Sequence, residues 1–152
     1  MPAEPAVGKV ILVVEDNAIS REGIGLLLTQ NGYAVRLAEN GQRALEILRT
    51  QPPPDLILLD MLMPVLDGWQ FIREIHQDAT LGAIPIVVVT GTILTLEWAQ
   101  SHGCAGFVHK PIEPGPLLAE IRRCLKLRGP ANRPVIRVRM QFTIRRPTPR
   151  KT

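Results

Sequence analysis

Three stretches of the chain are aliphatic without interruption: VILVV at 10–14, LILL at 56–59 and IPIVVV at 84–89. Unbroken runs this short predict strands covered on both faces, since a half-exposed strand would alternate. Between them the pattern turns helical. NAISREGIGLLLTQNGY sets Ile19, Ile24, Leu27 and Leu28 at helical spacing, with the NG before Tyr33 as a C-terminal stop. ENGQRALEILRT groups Ala44, Leu45, Ile47 and Leu48 on one side, and QPPP ends that helix. DGWQFIREIHQD points Phe71, Ile72 and Ile75 inward, ILTLEWAQSHG is a weaker helix with a Gly stop, and PLLAEIRRCLKLRG closes the series. YAVRLA, mixed and short, reads as an edge strand, and GFVHKP as a last brief one.

Five strands and five helices alternating over about 120 residues predict an α/β fold. It is a doubly wound parallel sheet with helices on both faces, because parallel neighbours need crossovers and short crossovers here are helices. Ligands of such folds sit outside the carboxyl ends of the strands. At that edge the first strand ends in Glu15 and Asp16, the third in Asp60 and the fourth in Thr90, and Lys110 follows the fifth.

Composition adds little to the body of the chain and a good deal to its end. Of 152 residues, 45% are apolar and 21% charged, as expected for a globular domain with one core. The aliphatic runs fall far short of a membrane span, and no signal-peptide pattern opens the chain, so a cytoplasmic protein with no membrane partner is expected. Cys104 and Cys124 have no metal-ligand spacing and are expected to be packed thiols. All 14 acidic residues lie at or before Glu120, against 7 Lys and Arg there, whereas 11 Lys and Arg and no acid follow from Arg122. The body is acidic and the basic character belongs to the tail.

Three carboxylates facing one ammonium leave a formal charge of −2, which favours a divalent cation. With only oxygen donors at the strand ends, Mg²⁺ suits the site better than zinc. A carboxylate beside Mg²⁺ can attack phosphorus and form an acyl phosphate. Lys110 and the metal would neutralise phosphoryl oxygens, and the Thr90 hydroxyl would donate to one of them. Asp67 reads as a helix N-cap. His76, His102 and His109 are expected on the surface, and Trp69 and Trp98 as packing or partner contacts.

VVEDN, LLDMLMPVLDG, VVVTG and GFVHKP, in this order and spacing, resemble the motifs of receiver domains of two-component response regulators, over roughly residues 8–128. The resemblance implies a flavodoxin-like strand order 2-1-3-4-5. It implies that Asp60 takes a phosphoryl group from a sensor histidine kinase or histidine phosphotransfer protein. Asp16 and Asp60 would bind Mg²⁺, Glu15 through water, and the backbone carbonyl of Leu62 would complete the protein ligands. Lys110 would pair with the phosphate, and its bond to Pro111 would be cis. Thr90 and Phe107 would be the switch residues, moving on phosphorylation to alter the face seen by a downstream protein target.

The chain departs from the family pattern in several places. Glu15 stands where an aspartate is common. Leu62 and Thr92 hold positions that influence phosphate lifetime, and an apolar Leu62 suggests a long-lived acyl phosphate. The Thr90 to Lys110 stretch is about two residues short. Residues 1–7 read as a loose leader and 129–152 as a basic tail. Within that tail, VIRVRMQFTIR at 135–145 alternates apolar and polar positions as a half-buried strand does. Such a strand could extend its own sheet, pair two copies as a homodimer, or be a plain basic extension. The leading expectation is a single-domain regulator that catalyses only its own phosphorylation and dephosphorylation. Nucleic-acid binding through the Arg-rich tail is the alternative. A metal-dependent phosphatase ranks last, because Leu62 stands where a second aspartate would be needed.

Overall fold

The computed structural model describes residues 8–61, 67–91 and 94–126. Along the chain run β1 (Val10–Val14), α1 (Ala18–Gln30), β2 (Ala34–Ala38), α2 (Gly41–Thr50), β3 (Leu56–Asp60) and α3 (Gly68–His76). A short 3₁₀ turn (Leu81–Ala83) then leads to β4 (Ile86–Thr90), α4 (Leu96–Ser101), β5 (Gly106–His109) and α5 (Pro114–Lys126). The strands form one parallel sheet in the order β2-β1-β3-β4-β5, as anticipated. The leader, the tail with its 135–145 segment, Leu62 and Thr92 lie outside the described residues.

Each aliphatic run feeds two cores, because successive side chains of a strand point to opposite faces. Leu12, Val14, Ile57, Leu59, Ile86 and Val88 pack with residues of α2 and α3, while Ile11, Val13, Leu56, Leu58, Val87 and Val89 pack with α1 and α5. Burial on both sides explains why β3 and β4 carry no alternation, while the edge strand β2 is largely open. Among the described residues no helix is long and apolar enough to cross a membrane.

Local chemistry sets where the helices begin. Asn17 accepts from the Ser20 amide at 2.8 Å, Asn40 from Arg43 at 2.8 Å, and Thr95 from Trp98 at 3.1 Å. Asp67 is the expected N-cap, in a full capping box with Gln70. Gly32, just after α1, has φ 91°, a left-handed turn that the NG stop supplies. Ile19 departs from expectation. Ile24 and Leu28 are buried, but Ile19 is 85% exposed. At 3.6 residues per turn it lies about 140° round the helix from Ile24, beyond the face that meets the sheet.

Candidate functional site

The strand register assembles the polar edge. Val14 pairs with Leu59, so the next residues, Glu15 and Asp60, leave β1 and β3 at the same level. Asp60 pairs with Val89, and Thr90 with His109, which brings Lys110 round from the end of β5. The Glu15 amide donates to the Ala38 carbonyl at 3.0 Å and the Lys110 amide to the Thr90 carbonyl at 3.0 Å, continuing the ladder into the loops.

Lys110 closes the site electrostatically. Its Nζ lies 3.3 Å from Asp60 Oδ2 and 3.3 Å from Glu15 Oε1, bridging two carboxylates whose side chains are only 4% and 3% exposed. One oxygen from each of Glu15, Asp16 and Asp60 lies within 4.8 Å of the others, and Asp16 is the exposed member of the three. Thr90 is fully buried beside them. The Lys110–Pro111 peptide is cis, as expected.

One lysine does not neutralise this corner. Burial pushes the Glu15 carboxyl above its ordinary value, and the charge of Asp60 adds to that, against the opposing pull of the Asn17 amide and Lys110. Burial also works against the Lys110 charge, yet the fields of Asp60 and Glu15 and hydrogen bonds to both outweigh it and hold the ammonium above its usual range. A donor set of carboxylate oxygens, with one member resisting ionisation, fits a hard divalent cation.

Phe107 is half-buried and packs with Leu94 and Trp98 against the core beneath α2 and α3. Its ring meets that of His109 at 4.8 Å. The histidines are less isolated than their spacing suggests. His102 stacks on Trp98 at 4.3 Å and meets Trp69 edge-on at 5.0 Å, forming a surface aromatic group across α3 and α4. His76 is exposed, as expected, but packs its ring over Gly103, where a Cβ would come within 2.7 Å of Cε1, and partial desolvation there lowers its pKa. Cys104 and Cys124 are free and buried, their thiols pushed up to about 12 and about 11. Sequence reasoning missed Arg21, whose Nη1 donates to the Glu15 carbonyl at 2.9 Å and to the Asp16 carbonyl at 3.3 Å. A lone arginine in a helix carries no signal of that contact.

Comparison with known proteins agrees with this arrangement. The model of the response regulator receiver domain matches residues 11–122. PilH of Pseudomonas aeruginosa is 32% identical over 117 residues, covering 76% of this chain and 96% of PilH. The phosphate regulon regulator PhoB of the same organism is 35% identical over 128 residues, 83% of this chain but 56% of PhoB. The chain thus spans nearly all of one such relative and about half the length of others. Among solved structures, the receiver domain of the Pseudomonas aeruginosa sensor histidine kinase PA1611, which has magnesium coordinated in its active-site cleft, is 31% identical with a TM-score of 0.71. That likeness covers 79% of this chain and 99% of that one. Vibrio cholerae CheY4 is 26% identical with a TM-score of 0.70, covering 76% and 98%. With its sheet order, its acidic strand ends and more than half its length matched, the chain belongs to the response regulator receiver domain family.

Proposed function

We propose that this receiver accepts a phosphoryl group on Asp60 from a sensor histidine kinase or a histidine phosphotransfer protein, and signals through protein contacts as a single-domain regulator. One observation carries the reading: Lys110 bridges the buried Asp60 and Glu15 at 3.3 Å each, with Asp16 completing a three-carboxylate corner. Asp60 Oδ attacks phosphorus, the phosphorus–nitrogen bond of the donor phosphohistidine breaks, and the imidazole leaves. Asp16 and Asp60, with Glu15 through water and the Leu62 carbonyl, would hold Mg²⁺, which when bound offsets negative charge on the transferring phosphoryl group.

Lys110 sits where its ammonium can leave Asp60 for a phosphoryl oxygen. Thr90, one strand over, offers its hydroxyl to another. Phe107 occupies a half-buried place between core and surface, so it is suited to shift inward when Thr90 moves. Positions Leu62 and Thr92 would set phosphate lifetime, with the apolar Leu62 favouring a long one. A cytoplasmic setting goes with this reading.

The test is phosphorylation by a small acyl phosphate or phosphoramidate donor with Mg²⁺, followed by intact mass. Wild type should gain one phosphoryl group and Asp60→Asn none. No gain in a folded wild type would remove the proposal.

A further inference from the structure

We infer that Arg21 is a positioning residue for the divalent cation, a role that rests on the function proposed above. Glu15 and Asp16 sit in the turn between β1 and α1, where no regular ladder holds both carbonyls. Arg21, in the first turn of α1, reaches back to them. Its Nη1 donates to Glu15 O at 2.9 Å and to Asp16 O at 3.3 Å. Its own amide bonds Asn17 O at 2.8 Å, which fixes the helix from which the side chain springs. On the other side of the turn, the Asn17 amide donates to Glu15 Oε2 at 3.0 Å. The acidic pair is therefore held by its carbonyls through Arg21 and by a carboxylate through Asn17. A planar guanidinium suits this work because one group serves two acceptors without losing its charge.

Charge and positioning predict opposite outcomes. As a bare positive charge near the corner, Arg21 would repel Mg²⁺, and its removal would tighten binding. As a clamp it keeps the acids converged, and its removal weakens binding. Outer-shell partners of metal ligands typically carry about tenfold or more in affinity. The short contacts to carbonyls, rather than to carboxylates, favour the clamp.

The experiment is a calorimetric Mg²⁺ titration of the full chain as wild type, Arg21→Ala, Arg21→Lys and Asp16→Asn, with thermal melting in the absence of Mg²⁺ to confirm folding. Wild type should bind and Asp16→Asn should lose binding. Arg21→Ala should weaken binding about tenfold, and Arg21→Lys, which keeps the charge but ends one bond short of Nη1, should fall between. Affinity in a folded Arg21→Ala equal to or tighter than wild type overturns the inference. If that variant does not fold, Arg21→Lys at full wild-type affinity overturns it. A folded wild type that does not bind Mg²⁺ refutes the metal site itself, and the role of Arg21 with it.

Discussion

Glu15 and Glu120 are both carboxylates pressed against the sheet, and the fold treats them in opposite ways. Glu15, at the C-terminal edge, is 3% exposed and shares one lysine with Asp60. Glu120, on α5, is 19% exposed and has its own arginine. Arg123 Nε reaches Oε1 at 3.0 Å and Nη2 reaches Oε2 at 2.8 Å, a two-point pairing, while the same Nη2 also donates to Ala105 O at 2.8 Å. The Phe107 amide donates to Oε2 at 3.0 Å. Glu120 and Arg123 thus occupy hydrogen-bonding groups along the outer edge of β5, where an open strand edge would invite pairing with another chain.

The protonation equilibria record the difference. The Arg123 hydrogen bonds draw the Glu120 carboxyl below its ordinary value of 4.5, helped by the Phe107 amide and against the effect of burial. Glu15 moves the other way. One carboxylate is compensated and serves the structure; the other is left short of positive charge, which is what a cation site requires. A buried charge without full pairing is costly to stability, so its retention at a strand end points to use rather than support.

The strongest way to break the comparison is to deny Glu120 its place. A Cβ at Gly106 would lie 2.5 Å from Glu120 Oε2 and 2.7 Å from Cys124 Sγ, so Gly106→Ala must displace the Glu120 carboxylate and the Cys124 thiol from their places on β5. Destabilisation of roughly 1–3 kcal/mol, the range for overpacking, is expected in denaturant unfolding. Glu120→Ala leaves the Phe107 amide without its acceptor and should cost about 1–2 kcal/mol. A cost near zero would show that the clasp contributes nothing to folding.

Glu15→Gln sharpens the contrast because its effect should have the opposite sign. Without Mg²⁺ the variant should unfold at higher denaturant, by about 1 kcal/mol or less, since a poorly compensated buried charge is removed. Destabilisation on that scale would mean that Lys110 satisfies Glu15 in full. The smallest expected effect is in pH. Below 4.5 the unfolded chain takes a proton at Glu120 before the folded one does, so this residue's contribution is present above 4.5 and is lost as pH falls through its lowered folded value. The stability gap between wild type and Glu120→Gln in acid unfolding should therefore be constant above 4.5 and close as pH falls below it.

Local pattern by itself determined much of this protein. The aliphatic runs, helical spacings and caps such as Asp67 depend on residues a few positions apart, and so they are legible in one dimension. They place five strands, and the polar residue at each strand end, at one edge of the sheet. The candidate site residues Glu15, Asp16, Asp60, Thr90 and Lys110 are named by that placement. Tertiary structure decided what the periods leave open. The register that sets Glu15 level with Asp60 comes from pairing β1 with β3, more than forty residues apart along the chain. The reach of Arg21 to the Glu15 carbonyl, the clasp of Glu120 on Phe107, and the meeting of Trp69 with Trp98 and His102 are contacts between elements or across a turn. Ile19 shows the same limit, since helical spacing gives its angle but only packing says where the buried face ends. A side chain's period is set by its own backbone, but its partner is set by which elements meet.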